Sequence, residues 1–184
     1  RKGTKIVVID TYETPTAKQA DHAFILRPGT DGALACAVMH VLFRDGLADR
    51  DYLEGYTDFG EEFEQHLVDR DPEWASAITG LPVAEIEELA HLLGSNPKSF
   101  FRLGYGFSRS RNGAVNMHAV SCIPAVLGAW KYEGGGALHS NSGIYQLKKD
   151  MIEAASSAKS GVRILDQSRI GEILCGEEDA LQSG

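Results

Sequence analysis

The feature that most constrains the fold is a short apolar run that ends in a carboxylate. Residues 5–10 read Lys-Ile-Val-Val-Ile-Asp, and such a run of β-branched residues is typical of a parallel strand buried on both faces. Further along, residues 27–32 read Arg-Pro-Gly-Thr-Asp-Gly and precede a strongly apolar helical pattern. Asp10 and Asp31 therefore occupy positions where open α/β sheets meet nucleotide ligands. Together the two segments predict a cofactor-binding domain.

Strand and helix signals alternate along the chain. They predict strands over 5–9, 23–26 and 99–103, and helices over 31–44, 72–78, 82–94 and 116–127. The connections are long enough for parallel pairing. We therefore expect a three-layer α/β/α Rossmann-like domain with a mainly parallel sheet.

The sequence predicts two parts of unequal length, which divide between residues 142 and 143. Residues 1–142 are expected to form the α/β domain, with a helical excursion over about 47–96, and residues 143–184 a less regular tail that leads into a neighbouring domain. Gly134 to Gly136 is interpreted as a flexible boundary. Residues 145–158 are interpreted as irregular or helical and 162–165 as a candidate strand.

Composition excludes several classes of protein. The net charge of -8 argues against nucleic acid as the main partner, and no apolar run is long enough to span a membrane. Cys36, Cys122 and Cys175 lack metal-ligand spacing, so no metal site is expected here and a reducing compartment is favoured. The chain lacks an initiating Met, so we expect an internal segment of a larger protein. A cytoplasmic location is expected, and a periplasmic one stays open.

Each acid has two interpretations. Asp10 could accept hydrogen bonds from two ribose hydroxyls, or it could accept them from turn amides. Gly29 offers a backbone that a flat ligand can approach, and the two oxygens of Asp31 match the ring N–H and exocyclic amine of guanine. The alternative for Asp31 is a helix cap stabilised by the N-terminal dipole.

A third candidate region is the basic segment from Arg102 to Arg111, which contains three arginines around a Gly-x-Gly turn. Guanidinium groups beside a helix entrance could bind phosphates, and a solvated basic face is the alternative. His139, near the glycine run, is the one histidine that we single out as a candidate site residue. No nucleophile–base pair is evident, and no catalytic residue is predicted.

Several segments, in this order, resemble one known family: residues 9–14, 20–21, 26–34, 51–52, 73–75, 78–82, 104–106, 112–113, 127–128 and 134–136. The chain resembles the molybdopterin oxidoreductases of the dimethyl-sulfoxide-reductase type, which include formate dehydrogenases and nitrate reductases. The resemblance covers about residues 3–143. It depends on the order and spacing of these segments rather than on any one motif.

The resemblance implies that residues 1–142 bind guanine-nucleotide parts of a bis-molybdopterin guanine dinucleotide cofactor, which carries molybdenum. It implies contacts to one guanosine from Asp10, Thr11, Tyr12 and Glu13, with Asp10 toward the ribose. It also implies guanine-edge recognition by Gly29, Thr30 and Asp31, and an approach of Tyr105 and Arg109 to the pterin and pyrophosphate.

The resemblance also implies what lies outside this chain. The family's 4Fe-4S cysteines and molybdenum ligand lie upstream, so the segment alone is expected to be inactive. Its expected partners are the remaining domains of the same enzyme and an electron-transfer subunit. Two departures matter: the family often has Gln where this chain has Arg109, and residues 138–143 lack the Arg that formate dehydrogenases place beside the metal. The second departure counts against formate as the substrate.

Two other functions compete with this interpretation. One is a nicotinamide- or flavin-binding Rossmann-like domain, against which stands the absence of Gly-x-Gly-x-x-Gly after the first strand. The other is a non-catalytic interaction domain whose Gly and Arg residues are structural.

Overall fold

The computed structural model describes residues 3–140, 148–149 and 164–182. Contacts divide the chain into two compact units, Arg1–Asn141 and Ser142–Gly184. The first unit carries all the predicted site residues, and the second is described separately below.

The first unit contains four strands and seven α-helices within its described residues. The strands are β1 (Val7–Asp10), β2 (His22–Ile25), β3 (Phe100–Arg102) and β4 (Gly136–Leu138). The helices are α1 (Asp31–Arg44), α2 (Arg50–Tyr56), α3 (Glu61–Leu67), α4 (Pro72–Thr79), α5 (Val83–Gly94), α6 (Tyr105–Ser108) and α7 (Gly113–Val126).

The strands pair in parallel, as two separate pairs. β1 pairs with β2, with Val7 opposite His22, and β3 pairs with β4, with Phe100 opposite Gly136. Among the described residues no hydrogen-bonded ladder joins β1 to β3. The predicted mixture of helices and parallel strands is confirmed, and the single three-layer sheet stays a prediction.

Helix α1 forms the centre of the core. Its apolar side chains include Ala37, Val38, Val41 and Leu42, none of which is exposed to solvent, and it packs against α4, α5 and α7. A helix that is apolar on nearly all sides requires such surroundings. Its start is therefore fixed by packing, which matters for Asp31 in its first turn.

Helices α2 to α5 lie within residues 47–96, the range over which the sequence predicts a helical excursion. Asp71 accepts a hydrogen bond from the Trp74 amide at 2.8 Å and begins α4, and Pro72 occupies its first turn. This side-chain cap fixes the start of the helix that the sequence predicts over 72–78. Helices α2 and α3 were not predicted, since seven residues each are too few for a clear apolar periodicity.

The glycine run is the clearest departure from the prediction. We expected a flexible boundary at Gly134 to Gly136, but Gly136 begins β4 and pairs with β3. At Gly136 φ is +97°, and an added Cβ would lie 2.3 Å from the ring of Trp130. Any larger residue would clash with Trp130, so position 136 requires glycine. The sequence alone does not show that Trp130 lies beside it.

The second unit contains short helices within residues 164–182. These are α8 (Ile170–Cys175) and α9 (Glu178–Gln182), preceded by a 3₁₀ turn over Gln167–Arg169. The prediction for 145–158 lies almost entirely outside the described residues, and so does the first half of the candidate strand over 162–165; residues 164 and 165 are not in a strand. Within the described part of the chain, no helix is long and apolar enough to cross a membrane.

Candidate functional site

The segments that follow β1, β2 and β3 converge on one cleft of about 690 Å³. Its polar rim, which we call the mouth, is formed by Asp10, Thr11, Gly29, Asp31, Gly104, Arg109 and Ser110. A cleft at the carboxyl ends of parallel strands is the usual ligand position in open α/β proteins. Its volume lies within the range of small-molecule and cofactor sites.

The loop after β2 is held by two asparagines at the start of α7. Asn112 and Asn116 donate side-chain hydrogen bonds to the Gly29 carbonyl at 3.2 and 3.1 Å. The Asn116 side-chain oxygen also accepts from the Gly32 amide at 3.2 Å. Asn116 is only 2% exposed, so these bonds are shielded from water and fix the loop beside the mouth.

The loop itself needs glycine at two positions. Gly29 has φ of +78°, a left-handed conformation that other residues rarely adopt. At Gly32 an added Cβ would lie 2.6 Å from the Asn116 side-chain oxygen. Sequence reasoning missed Asn116 as a supporting residue, although a buried Asn in an apolar helix signals a required hydrogen bond.

Asp31 has an unsatisfied buried oxygen at the mouth. Its Oδ2 atom is buried and has no hydrogen-bond partner in the described residues. Burial raises the pKa of Asp31 above its ordinary value, its own backbone amide lowers it, and the nearby Asp10 raises it further. The residue before α1 is Thr30, whose side chain makes no capping hydrogen bond. The cap interpretation of Asp31 explains the hydrogen bond to its own amide but not the buried, unpartnered Oδ2 atom.

Asp10 ends β1 and faces the same cleft. Its Oδ1 atom accepts a hydrogen bond from the Thr11 amide at 2.8 Å, as the turn interpretation requires. A carboxylate has further acceptor positions, so this bond leaves capacity for a ligand. Two neighbouring carboxylates without a described cation between them favour a ligand that donates hydrogen bonds.

Arg109 supplies positive charge to the lining of the mouth. Its guanidinium lies 5.7 Å from the ring centre of Tyr105, and no carboxylate pairs with it among the described residues. The arginines of the basic segment have different surroundings. The Arg102 guanidinium donates to backbone carbonyls, which include that of Leu103 at 2.7 Å. Arg102 is therefore structural, whereas Arg109 is available to an anion.

Tyr105 turns away from the cleft toward the end of β4. Its hydroxyl donates to the Ser140 hydroxyl at 2.6 Å, and its ring meets that of His139 edge-on at 4.7 Å. The Nδ1 atom of His139 is buried without a partner in the described residues. Tyr105 and His139 thus form a cluster beside the mouth rather than part of its lining.

Three other predicted site residues, Thr30, Tyr12 and Glu13, lie outside the cleft lining. The hydroxyl of Thr30 donates to the Arg27 carbonyl at 2.6 Å and stabilises the loop. Tyr12 is 66% exposed, and Glu13 lies 3.8 Å from Lys18 on the surface. Neither Tyr12 nor Glu13 lines the cleft.

A second group of titratable residues lies away from the cleft. Asp45, Glu87 and His91 place ligand-type atoms within 4.8 Å of one another. The Arg44 guanidinium hydrogen-bonds both carboxylates, at 2.8 to 3.0 Å. Arg44 already neutralises this group, which is best explained as an ion-pair network between α1 and α5.

The fold and the mouth define an α/β domain with a cleft at the carboxyl ends of its strands. A family model described as molybdopterin oxidoreductase matches residues 1–172. The chain therefore belongs to the molybdopterin oxidoreductase family, which confirms the resemblance found in the sequence.

The chain is similar in sequence to parts of several longer oxidoreductases. The chain is 36% identical over its whole length to a probable oxidoreductase, YoaE, of Bacillus subtilis, of which it covers 27%. It is 36% identical to the F420-dependent formate dehydrogenase 1 subunit alpha of Methanococcus maripaludis, with 69% of the chain and 19% of that protein covered. It is 30% identical to the dimethyl sulfoxide reductase DmsA of Haemophilus influenzae, with 73% and 19% covered. The chain thus corresponds to a partial region of molybdopterin oxidoreductase enzymes.

A solved structure supports the fold. The acetylene hydratase of Pelobacter acetylenicus matches with a TM-score of 0.58 at 22% identity, covering 73% of this chain and 18% of that one.

Proposed function

We propose that the mouth binds the guanosine and pyrophosphate parts of bis-molybdopterin guanine dinucleotide within a larger molybdenum-dependent oxidoreductase. The observation that carries the proposal is the buried, unpartnered Oδ2 of Asp31 beside the open loop at Gly29. A buried acceptor without a partner costs free energy, and a ligand donor would remove that cost. Membership of the family makes a molybdopterin cofactor the natural donor.

The residues at the mouth fit this group. The adjacent ring N–H and amine of guanine match the two oxygens of an ionised Asp31, and Gly29 with Thr30 forms the loop that a flat base can approach. Asp10, with Thr11, is proposed to accept from ribose hydroxyls. Arg109 is proposed to pair with the pyrophosphate.

Three further contacts rest on family resemblance. Tyr12 and Glu13 are assigned to the guanosine side, and Tyr105 to the pterin side. Since Tyr12 and Glu13 lie outside the cleft lining, their contacts are proposed to the rim of the nucleotide. The domain boundary at 142–143 and the single Rossmann-like sheet belong to the same proposal.

The bound cofactor would supply molybdenum for two-electron redox chemistry, and this chain's residues would hold and orient its nucleotide end. The metal ligand and a 4Fe-4S cluster are proposed to come from other parts of the enzyme, so these residues alone would be inactive. The parent enzyme's chemistry is proposed to be formate dehydrogenase-like or related, with the missing Arg in residues 138–143 counting against formate itself, and an electron-transfer subunit is the proposed partner.

The proposal is tested by Asp31→Ala in the full-length enzyme. We expect a large loss of molybdenum and of bound guanine nucleotide, because hydrogen bonds to a charged group contribute about 1.5–3 kcal/mol. Metal content by mass spectrometry and nucleotide release after acid treatment are the measurements. The matched control is Glu62→Ala, since Glu62 is an exposed acid on α3. Wild-type molybdenum and nucleotide content in Asp31→Ala would refute the guanine contact.

A further inference from the structure

The loop that joins β2 to α1 contains an arginine that does not line the cleft, although Gly29 and Asp31, which follow it, do. The Arg27 guanidinium instead contacts the carboxyl end of α4. Its Nη1 atom donates to the carbonyls of Ala77 at 2.9 Å and of Ile78 at 3.2 Å. These contacts join the loop at the mouth to the helical excursion, 50 residues further along the chain.

Arg27 satisfies three of the four carbonyls at the end of α4. The last four carbonyls of an α-helix have no partner within the helix, and in α4 they belong to residues 76–79. The Gly80 amide donates to the Ser76 carbonyl, and the Arg27 amide donates to the Thr79 carbonyl, each at 2.9 Å. The two guanidinium bonds satisfy the remaining carbonyls. The positive side chain also meets the negative end of the helix dipole.

The turn after α4 leaves the space that the guanidinium occupies. Gly80 ends the helix in a left-handed conformation, with φ of +82°, which glycine adopts readily. An added Cβ at this position would lie 3.3 Å from the Nε atom of Arg27, closer than an ordinary van der Waals contact. Glycine at position 80 therefore allows both the end of the helix and the close approach of Arg27.

Arg27 also fixes the course of the chain toward Asp31. Its carbonyl accepts hydrogen bonds from the Thr30 hydroxyl at 2.6 Å and from the Thr30 amide at 3.3 Å. The Gly29 carbonyl, between these two residues, is held by the two asparagine side chains described above. The loop is therefore joined to α4 at Arg27 and to the start of α7 at Gly29, and Asp31 follows both contacts directly.

We propose that Arg27 is a positioning residue of the cofactor site, which joins the β2–α1 loop to α4 and thereby holds the Asp31 carboxylate where it meets the ligand. No residue of α4 lines the cleft, so the helical excursion takes part in binding through this arginine. The inference rests on the proposed function of Asp31. A direct phosphate contact by Arg27 is the alternative, and its hydrogen bonds to carbonyls oppose it because they orient the guanidinium toward α4.

Arg27 acts on binding through preorganisation of the loop. A loop that is fixed before the ligand arrives loses less conformational entropy on binding. Without the guanidinium bonds, the loop spends part of its time in positions that do not present Asp31 at the mouth, and the apparent affinity falls by that fraction. The Arg27 side chain bonds carbonyls at the protein surface, where water replaces a lost donor. The loss therefore affects binding more than it affects the stability of the fold.

The test is Arg27→Met in the full-length enzyme, with the release of guanine nucleotide and the melting temperature measured on the same samples. We expect nucleotide release well below the melting transition to become about tenfold faster, with a melting temperature close to that of the wild type. Arg27→Lys keeps a cationic donor for the same carbonyls and should restore most of the retention. Unchanged release in Arg27→Met, or release from Arg27→Lys as fast as from Arg27→Met, would overturn the proposal.

The matched control is Arg70→Met. The Arg70 guanidinium also donates to a carbonyl at the end of a helix, that of His66 in α3, and it lies 5.9 Å from the ring centre of Trp74, but it does not line the cleft. Arg70→Met should release nucleotide at the wild-type rate. Equal acceleration in the two variants would overturn the proposal, because any lost helix-end contact would then have the same effect.

A second pair of variants leaves Arg27 in place. Gly80→Ala brings a methyl group against the guanidinium, whereas Gly46→Ala, at φ of +68°, has no neighbour within 4 Å of the added Cβ. Both substitutions strain a left-handed residue, and only Gly80→Ala should accelerate nucleotide release. Equal release from the two glycine variants would contradict the role of Arg27, including in the case where Arg27→Met does not fold.

Hydrogen exchange in the full-length protein freed of cofactor reports on the loop itself. In Arg27→Met the amides of Thr30 and Gly32 should exchange faster than in the wild type, while the amide of Val38 in the core of α1 keeps its wild-type rate. Wild-type rates at Thr30 and Gly32, or equal acceleration at Val38, would overturn the proposal.

The failure of this inference is distinguishable from that of the proposed function. A wild-type enzyme that holds no guanine nucleotide would refute both. Loss of nucleotide from Asp31→Ala, together with full retention in Arg27→Met, would leave the proposed function standing and refute the role of Arg27 alone.

Discussion

At the scale of single residues, the guanine contact proposed for Asp31 carries a cost in stability. Its carboxylate is partly removed from water, and its Oδ2 atom has no partner in the described part of the chain. Burial raises the pKa of Asp31, and the proximity of Asp10 adds to this shift. Carboxylates with pKa values shifted by burial are concentrated at functional sites, which supports the role proposed for Asp31.

The first prediction concerns Asp31→Asn in the cofactor-free protein. The pKa of Asp31 is raised in the folded protein, so the fold favours the protonated carboxyl over the ionised one. The stability of the folded protein that depends on this protonated form is fully present below the ordinary pKa of Asp. It is lost as pH rises through the shifted pKa. Removing the charge should therefore raise the melting temperature at pH 7 and have little effect in strong acid. Thermal unfolding across a pH series is the measurement.

The control for that series is Asp69→Asn, because Asp69 is an exposed acid. It should leave the melting temperature nearly unchanged at every pH. A destabilised Asp31→Asn protein at neutral pH would contradict the assignment of an unsatisfied carboxylate.

The second prediction concerns Arg109 and salt. If Arg109 pairs with the pyrophosphate, Arg109→Gln should weaken cofactor binding by about 1.5–3 kcal/mol at low ionic strength. The difference should shrink as salt is added, because an exposed charge pair is screened. Molybdenum retention across a salt series measures it, with Arg111→Gln as the neighbouring control. Full retention at every salt concentration would argue against a charge contribution.

At the scale of elements, α7 determines the shape of the mouth although it is distant in sequence. Asn112, which directly precedes α7, and Asn116 in its first turn donate to the Gly29 carbonyl. The loop after β2 is thereby joined to the loop after β3. The position of Asp31 relative to Arg109 depends on this link.

The third prediction is that Asn116→Ala destabilises the fold and weakens cofactor retention together. Loss of the side chain leaves the Gly32 amide without its described acceptor, which costs about 1–3 kcal/mol. That corresponds to a decrease of roughly 2–4 °C in melting temperature per kcal/mol for a domain of this size. The control is Asn96→Ala, whose side chain bonds the Leu92 carbonyl at an exposed helix end. Equal decreases in the two variants would contradict the role of Asn116.

The elements differ in how far the sequence predicts them. Helix α1 was predicted over 31–44 and is found there, because its apolar pattern is long and its ends carry clear signals. Helices α2 and α3 and strand β4 were missed. Their few residues are stabilised by packing against the core rather than by local preference.

At the scale of the whole molecule, stability in acid depends on carboxylates paired at the surface. The Arg44 side chain and then His91 hold the pKa of Asp45 well below its ordinary range, and Arg44 also lowers the pKa of Glu87. A lowered pKa contributes stability that is present above the ordinary pKa and is lost as pH falls through the shifted value. Asp45 and Glu87 are partly exposed, so solvent reduces this contribution.

The fourth prediction follows from that network. Arg44→Gln should shift acid unfolding to higher pH, and the shift should be smaller at high salt, because the wild-type pairs are then screened. Circular dichroism during acid titration at low and high salt is the measurement. Arg111→Gln removes an equivalent charge with no described carboxylate partner and should not shift the midpoint. A wild-type midpoint in Arg44→Gln would mean that the network contributes nothing measurable.

The sequence by itself determined the kinds of elements and the chemistry of the segments between them, because strand periodicity, caps and turn residues depend on adjacent residues. It also determined the family, through the order of many short segments. Only the tertiary structure decided which of these residues line one cleft: Asp10, Asp31 and Arg109 do, whereas Tyr12 and Glu13 do not. It likewise revealed the support from Asn116 and the contacts of Arg27 with the end of α4. These depend on contacts between distant segments, which packing of the whole core establishes and which no local pattern encodes.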